Sequence, residues 1–132
     1  MKKLLVLISI FSFNYVIGQT PEDIVNSFRQ KKIDYVVSNS FLPFDLRSGS
    51  FEDDENIISG QILKKKLTKL FNDNYFDDLL KGKKIKDSKL KISFVRKTFD
   101  KHGELESESR ISFFFKKGKD GRIKLSSIIL AG

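Results

Sequence analysis

Cysteine is absent from this chain. Disulfides, thiolate metal centres and lipid attachment at a cysteine are therefore excluded. Tryptophan is also absent, and the only histidine is His102. One imidazole without thiols cannot build a His/Cys ligand set. Glycines number eight, none spaced as a phosphate-cradling loop, and no serine sits in a nucleophile elbow. Prolines number two, Pro21 and Pro43, so few positions are forced to break secondary structure. Acid is in deficit: 17 Asp and Glu against 25 Lys and Arg, a net charge of +8. Four of the acids stand together as Glu52-Asp53-Asp54-Glu55, without the ligand spacing of a calcium loop, so neither metal nor cofactor is expected. The excess base is mostly lysine, as Lys64-Lys65-Lys66 and as Lys81, Lys83, Lys84 and Lys86. Such clusters are either solvated faces or attractors of polyanions. No aromatic residue is interleaved with them, which argues against sequence-specific nucleic-acid binding.

Only one long apolar run exists, at the start of MKKLLVLISIFSFNYVIGQ. Two lysines, the run Leu4 to Phe13 and a small residue at Gly18 make the pattern of a secretory signal peptide. The run falls short of the ~20 residues of a bilayer span. The expected arrangement is a signal peptide, 1–18, and a single domain, 19–132, exported to the periplasm or the medium. A retained N-terminal anchor helix is the alternative. An exported chain without disulfides must be held by its core, and thirteen phenylalanines supply large side chains for one.

Thr20-Pro21-Glu22-Asp23 reads as a helix start. Ile24, Val25, Phe28, Val36 and Val37 fall near one helical face, predicting one helix that ends near Ser38-Asn39. Phe44 to Arg47 is expected as a short edge strand, and Phe51 to Asn56 as a polar loop. Ser59 can cap a second helix, with Ile62, Leu63, Leu67, Leu70 and Phe71 on the core side and Lys64, Lys65 and Lys69 outside. Tyr75 to Leu80 suggests one more helical turn, closed near Gly82.

The period then changes to two. Leu90, Ile92 and Phe94, then Ile111, Phe113 and Phe115, then Ile123, Leu125, Ser127 and Ile129 give three strands with one apolar face. Gly118 to Arg122 fits a three-residue hairpin loop with Gly121 left-handed. It pairs Phe115 with Leu125, Phe113 with Ser127 and Ile111 with Ile129. A two-residue His102-Gly103 loop would pair Phe94 with Ile111, Ile92 with Phe113 and Lys97 with Glu108. A three-residue loop there would misface the apolar residues, and is set aside.

Helices followed by a meander predict an α+β domain, the helices packed on one face of a curved antiparallel sheet. On that face Arg96, Thr98, Ser107 and Ser109 lie towards the His-Gly turn. They are either solvated strand ends or the polar half of a ligand mouth, with Arg96 set for an anion. On the other face Val95, Phe114, Ile128 and Leu130 form either a partner or homodimer surface, or a patch covered by the N-terminal strand or a terminus.

The long first helix, SFLPFDLRSG, ISGQILKKKLTKLF and the curved meander together resemble the NTF2-like superfamily, the cystatin-like α+β cone, in its small exported bacterial members. The resemblance covers nearly the whole mature chain and rests on the order of elements; Pro43-Phe44-Asp45-Leu46-Arg47 matches a family segment loosely. It implies that Phe41, Leu42 and Phe44 close the base of the cone, and that Arg47 and Tyr35 stand among the ligand-facing residues. Enzymes of this superfamily, isomerases and dehydratases among them, place an Asp or His, sometimes with Tyr, inside the cone. His102 sits in a turn instead, which leaves Asp45 and Tyr35 as catalytic candidates. The function expected is a non-catalytic domain binding a small ligand or a protein. An isomerase or dehydratase, and a polyanion-binding basic protein, are the alternatives.

Overall fold

A computed structural model describes residues 20–48, 55–72 and 75–131. The expected signal peptide, and residues 52–54 of the acidic run, lie outside the described residues. The elements are α1 (Pro21–Arg29), α2 (Ile33–Ser38), β1 (Ser40–Ser48), β2 (Glu55–Ile57), α3 (Gly60–Asn72), α4 (Tyr75–Leu80), β3 (Lys83–Ser88), β4 (Lys91–Phe99), β5 (Leu105–Lys117) and β6 (Ile123–Ala131). The sheet order is β2-β1-β6-β5-β4-β3, in one six-stranded sheet. It is curved and unclosed, with the helices packed against it.

The first helix is broken where one was expected. Thr20 caps α1 through a reciprocal box with Asp23. The helix then stops in a Schellman motif: the Lys32 N–H donates to the Ser27 carbonyl and the Lys31 N–H to the Phe28 carbonyl. Lys31 takes the left-handed conformation, φ 61°, that the motif requires. A lysine does here what glycine usually does, so no sequence signal marks the break. Asn39 and Ser40 close α2, their side chains donating to the Tyr35 and Val36 carbonyls.

β1 is not an edge. It runs antiparallel to β2 and parallel to β6, which makes the sheet mixed. Its Leu42–Pro43 peptide is cis. Phe44 is fully buried, but Phe41 is half-buried and Leu42 exposed, so the three do not close the base together. The edges are the short β2 and the lysine-rich β3, both absent from the three-strand expectation. In α3, Leu63, Leu67 and Phe71 are buried and Leu70 packs on the core, whereas Ile62 is exposed.

Both hairpins keep their apolar faces aligned, by different means than expected. Between β4 and β5, Phe94 meets Ile111, Ile92 meets Phe113 and Lys97 meets Glu108. The loop nevertheless holds three residues, 101–103, closed by the Asp100 N–H on the Glu104 carbonyl with Gly103 at φ 77°. A bulge between the Thr98 and Phe99 pairs absorbs the one-residue shift. Between β5 and β6 the three-residue loop is as expected, with Gly121 at φ 81° and Phe115 opposite Leu125. A bulge then shifts the register, so that Phe113 meets Ile128 and Ile111 meets Leu130. Ser126, the extra residue, donates its hydroxyl to the Phe114 carbonyl at 3.0 Å.

The core lies between helices and sheet. Phe28 is its centre, with ring centroids 4.6 Å from Phe71 and 5.1 Å from Phe113; Phe94 meets Phe113 edge-on at 6.2 Å. Among the described residues the buried polar side chains are Asn39, Ser40, Ser93, Ser112 and Ser126. No carboxylate, imidazole or phenol is among them.

Candidate functional site

A cleft of about 690 Å³ opens where α1 ends, α4 turns into β3, and β4 passes behind. Arg29, Asp77, Leu80, Lys81, Gly82, Lys84 and Phe94 line it. The alternation of β3 against β4 puts Lys84 opposite Phe94 on the helix-facing side. Lys86, two residues on, shares that side and reaches Glu22 of α1 at 2.7 Å. That ammonium group holds the Glu22 carboxyl below its ordinary value of 4.5.

Arg29 is the organising side chain. Its guanidinium lies 5.2 Å above the centroid of the Phe94 ring, and one of its terminal nitrogens donates to the Leu80 carbonyl at 3.2 Å. Stacking below and a hydrogen bond to the side fix a group that is otherwise free to sweep. The N–H groups left over face a cleft whose other cations, Lys81 and Lys84, are exposed. The acid in the lining, Asp77, is 3.5 Å from Lys31. The local balance is positive, over an apolar floor of Phe94 and Leu80. Such an arrangement can hold a small anion by charge-assisted hydrogen bonds.

The close approach of α4 to β4 depends on Gly82. A Cβ there would stand 2.5 Å from the Val95 carbonyl oxygen. Arg96 follows Val95 and points to the helical layer, its guanidinium 3.5 Å from the Asp78 carboxylate of α4. It is not among the residues that line the cleft, and its charge already has a partner. Thr98 and Ser107 hydrogen-bond to one another, and Ser109 faces Arg96 in register. Ser107 is exposed and Thr98 half-buried, so this end of the strands runs towards solvent.

The other expected site residues are spread over both faces. Asp45 lies between the core residues Phe44 and Leu46, so it points to the opposite face, where its carboxylate meets Arg47 at 2.9 Å. Both line a separate open groove with Phe41, Pro43, Asn56 and Lys116. Tyr35 packs on the core from the helical layer. The sheet separates Tyr35 from Asp45, and the two form no acid–base pair. The outer patch also divides. Ile128 is fully buried and Leu130 nearly so, both in the core, because the Ser126 bulge turns them inwards. Val95 and Phe114 remain on the outer face, Phe114 half-buried with Lys91 Nζ 5.2 Å from its ring. On the same face, one pair along the strands, Ser93 and Ser112 join their hydroxyls at 2.9 Å.

Arg29 escaped the sequence reading because it follows an apolar helix face by one position and carries no motif. Its signal is indirect: a base in the last turn of α1 suits the helix dipole, and the cluster Lys81, Lys83, Lys84 and Lys86 marks the opposite wall.

No protein-family model matches the sequence, and no curated protein matches it. Solved structures do resemble it. A candidate ketosteroid isomerase from Shewanella frigidimarina matches at TM-score 0.51 and 11% identity, over 82% of this chain and 91% of that one. A protein from Catenulispora acidiphila, in complex with S-DNPA, matches at TM-score 0.50 and 12% identity, over 91% and 92%. An NTF2-like protein with a cystatin-like fold from Novosphingobium aromaticivorans matches at TM-score 0.46 and 10% identity, over 98% and 85%. At such identities the likeness is one of architecture: the chain has the NTF2-like α+β fold.

Proposed function

We propose that this chain is an exported, non-catalytic domain that holds a small anionic molecule, such as a carboxylate or phosphate, in the cleft of Arg29, Lys81 and Lys84. The observation that carries the reading is the Arg29 guanidinium, stacked on Phe94 and tied to the Leu80 carbonyl. A preorganised guanidinium at an open cleft favours binding because little side-chain freedom is lost on contact. The Catenulispora protein was solved with a small molecule bound, which supports a ligand role for this fold. The Shewanella protein suggests isomerase chemistry. For that alternative the acid in the cleft lining is Asp77, which is 3.5 Å from Lys31.

Export rests on the N-terminal sequence pattern, and no described helix is long and apolar enough to cross a membrane. Intact mass of the secreted protein tests it, with Gln19 expected as the first residue. Binding is tested by titrating benzoate and inorganic phosphate into isotope-labelled protein. The Gly82 amide and the Arg29 side-chain signals are expected to shift. Arg29→Ala and Lys84→Ala are expected to lose the response while keeping a dispersed spectrum. No shift with either anion, or shifts unchanged in Arg29→Ala, would overturn the assignment.

A further inference from the structure

Helix α3 presents two unlike faces. Leu63, Leu67 and Phe71 enter the core, and Lys64, Lys65 and Lys69 are exposed on the far side. Ile62 stands among the lysines, since Lys65, Lys66 and Lys69 follow it at the three-, four- and seven-residue spacings that share a helix face. Ile62 is 46% exposed, and Ile58, just ahead of the helix, 75%. Lys64 has an acid at hand, Asp34 at 2.8 Å. Among the described residues Lys65 and Lys69 have none.

We infer that this face docks on an anionic lipid bilayer, the lysine ammonium groups among the headgroup phosphates and Ile62 entering the interface. Lysines alone would suit any polyanion. Exposed Ile62 decides between partners, because the sugar-phosphate surface of a duplex or an acidic glycan gives a lone aliphatic side chain among lysines no apolar layer to enter. A headgroup layer over acyl chains takes both kinds of side chain. The face shares no residue with the Arg29 cleft, so the two assignments stand or fall separately.

Sedimentation of the full chain with vesicles tests the inference. Phosphatidylcholine vesicles are compared with vesicles that also contain phosphatidylglycerol, and each variant is compared with wild type on the same vesicles, so that the N-terminal apolar run with Lys2 and Lys3 contributes equally to both. Binding is expected to be stronger to the anionic vesicles. Each lysine near such a surface contributes about fivefold, so Lys65→Gln/Lys69→Gln should lower partitioning by roughly 25-fold. Ile62→Ser should lower it further, with an effect that persists in high salt, where the lysine contribution is screened. Thermal melts confirm folding, and the lysine variants, changed only at exposed positions, carry the test if Ile62→Ser is destabilised. Equal partitioning to both vesicle types overturns the inference. So does retention on heparin without vesicle binding, or an unchanged Ile62→Ser, either of which assigns the face to a soluble polyanion.

Discussion

Replacing Gly82 with alanine tests how tightly α4 is pressed against the sheet. The added methyl would lie 2.5 Å from the Val95 carbonyl oxygen, 2.6 Å from its carbonyl carbon and 3.0 Å from the Arg96 nitrogen. All three are backbone atoms of β4, which is flanked by β3 and β5 and cannot rotate away. Relief requires parting α4 and the start of β3 from β4 by on the order of 1 Å, which loses contacts along that seam. Overpacking of this kind costs about 1–3 kcal/mol, and a rigid obstacle puts the expectation near the upper end. For a domain of this size that lowers Tm by roughly 8–12 °C. Gly60→Ala is the matched control. Its methyl meets only Val37 Cγ1, at 3.6 Å, in the first turn of α3. There the gain in helix propensity should stabilise by about 0.5 kcal/mol. Urea unfolding followed by circular dichroism reads both. If Gly82→Ala unfolds within experimental error of wild type, or if both variants shift in the same direction, the contact between α4 and β4 is not the one described.

Phe28→Ala removes the ring that meets Phe71 and Phe113 and should cost about 3–5 kcal/mol by the same unfolding assay. Lys31→Gly should stabilise by about 0.5–1 kcal/mol, since the left-handed φ suits glycine and the ion pair with Asp77 is exposed; a destabilised variant would mean that the Schellman motif is not formed. The Glu22 carboxyl, lowered chiefly by the Lys86 hydrogen bond, adds stability above its ordinary value of 4.5 and loses it as pH falls through the folded value. Urea midpoints of wild type and Lys86→Ala should therefore differ at neutral pH and converge in acid, and a constant gap would refute the pairing.

The sequence announces some of this architecture and conceals the rest for identifiable reasons. The Gly118–Arg122 loop is legible because Gly121 marks the left-handed position. The bulges that follow Phe115 and Thr98 are not, because an extra residue in a strand leaves a plausible alternation on either side of it. That ambiguity put Ile128 and Leu130 on the wrong face and gave the His102 turn one residue too few. β3 is hidden because Lys83-Lys84-Ile85-Lys86 shows no apolar alternation; an edge strand beside a charged cleft has no need of it. The break between α1 and α2 is hidden because Lys31 occupies a position where glycine is the usual signal. The cleft depends on both of these concealed features. The Lys81–Lys86 cluster could be seen in advance, whereas its meeting with Arg29 depended on the tertiary packing of α1 over β4.

The parallel seam between β1 and β6 shapes how the chain reaches its native state. Strands β3 to β6 follow one another and can pair as local hairpins, but β1 must join a strand roughly eighty residues later in sequence. Until it arrives, β6 has one bare hydrogen-bonding side, backed by Leu125, Ile128 and Leu130. That stretch is uncharged, and in a half-assembled chain it is the place most apt to recruit a strand from a neighbouring molecule.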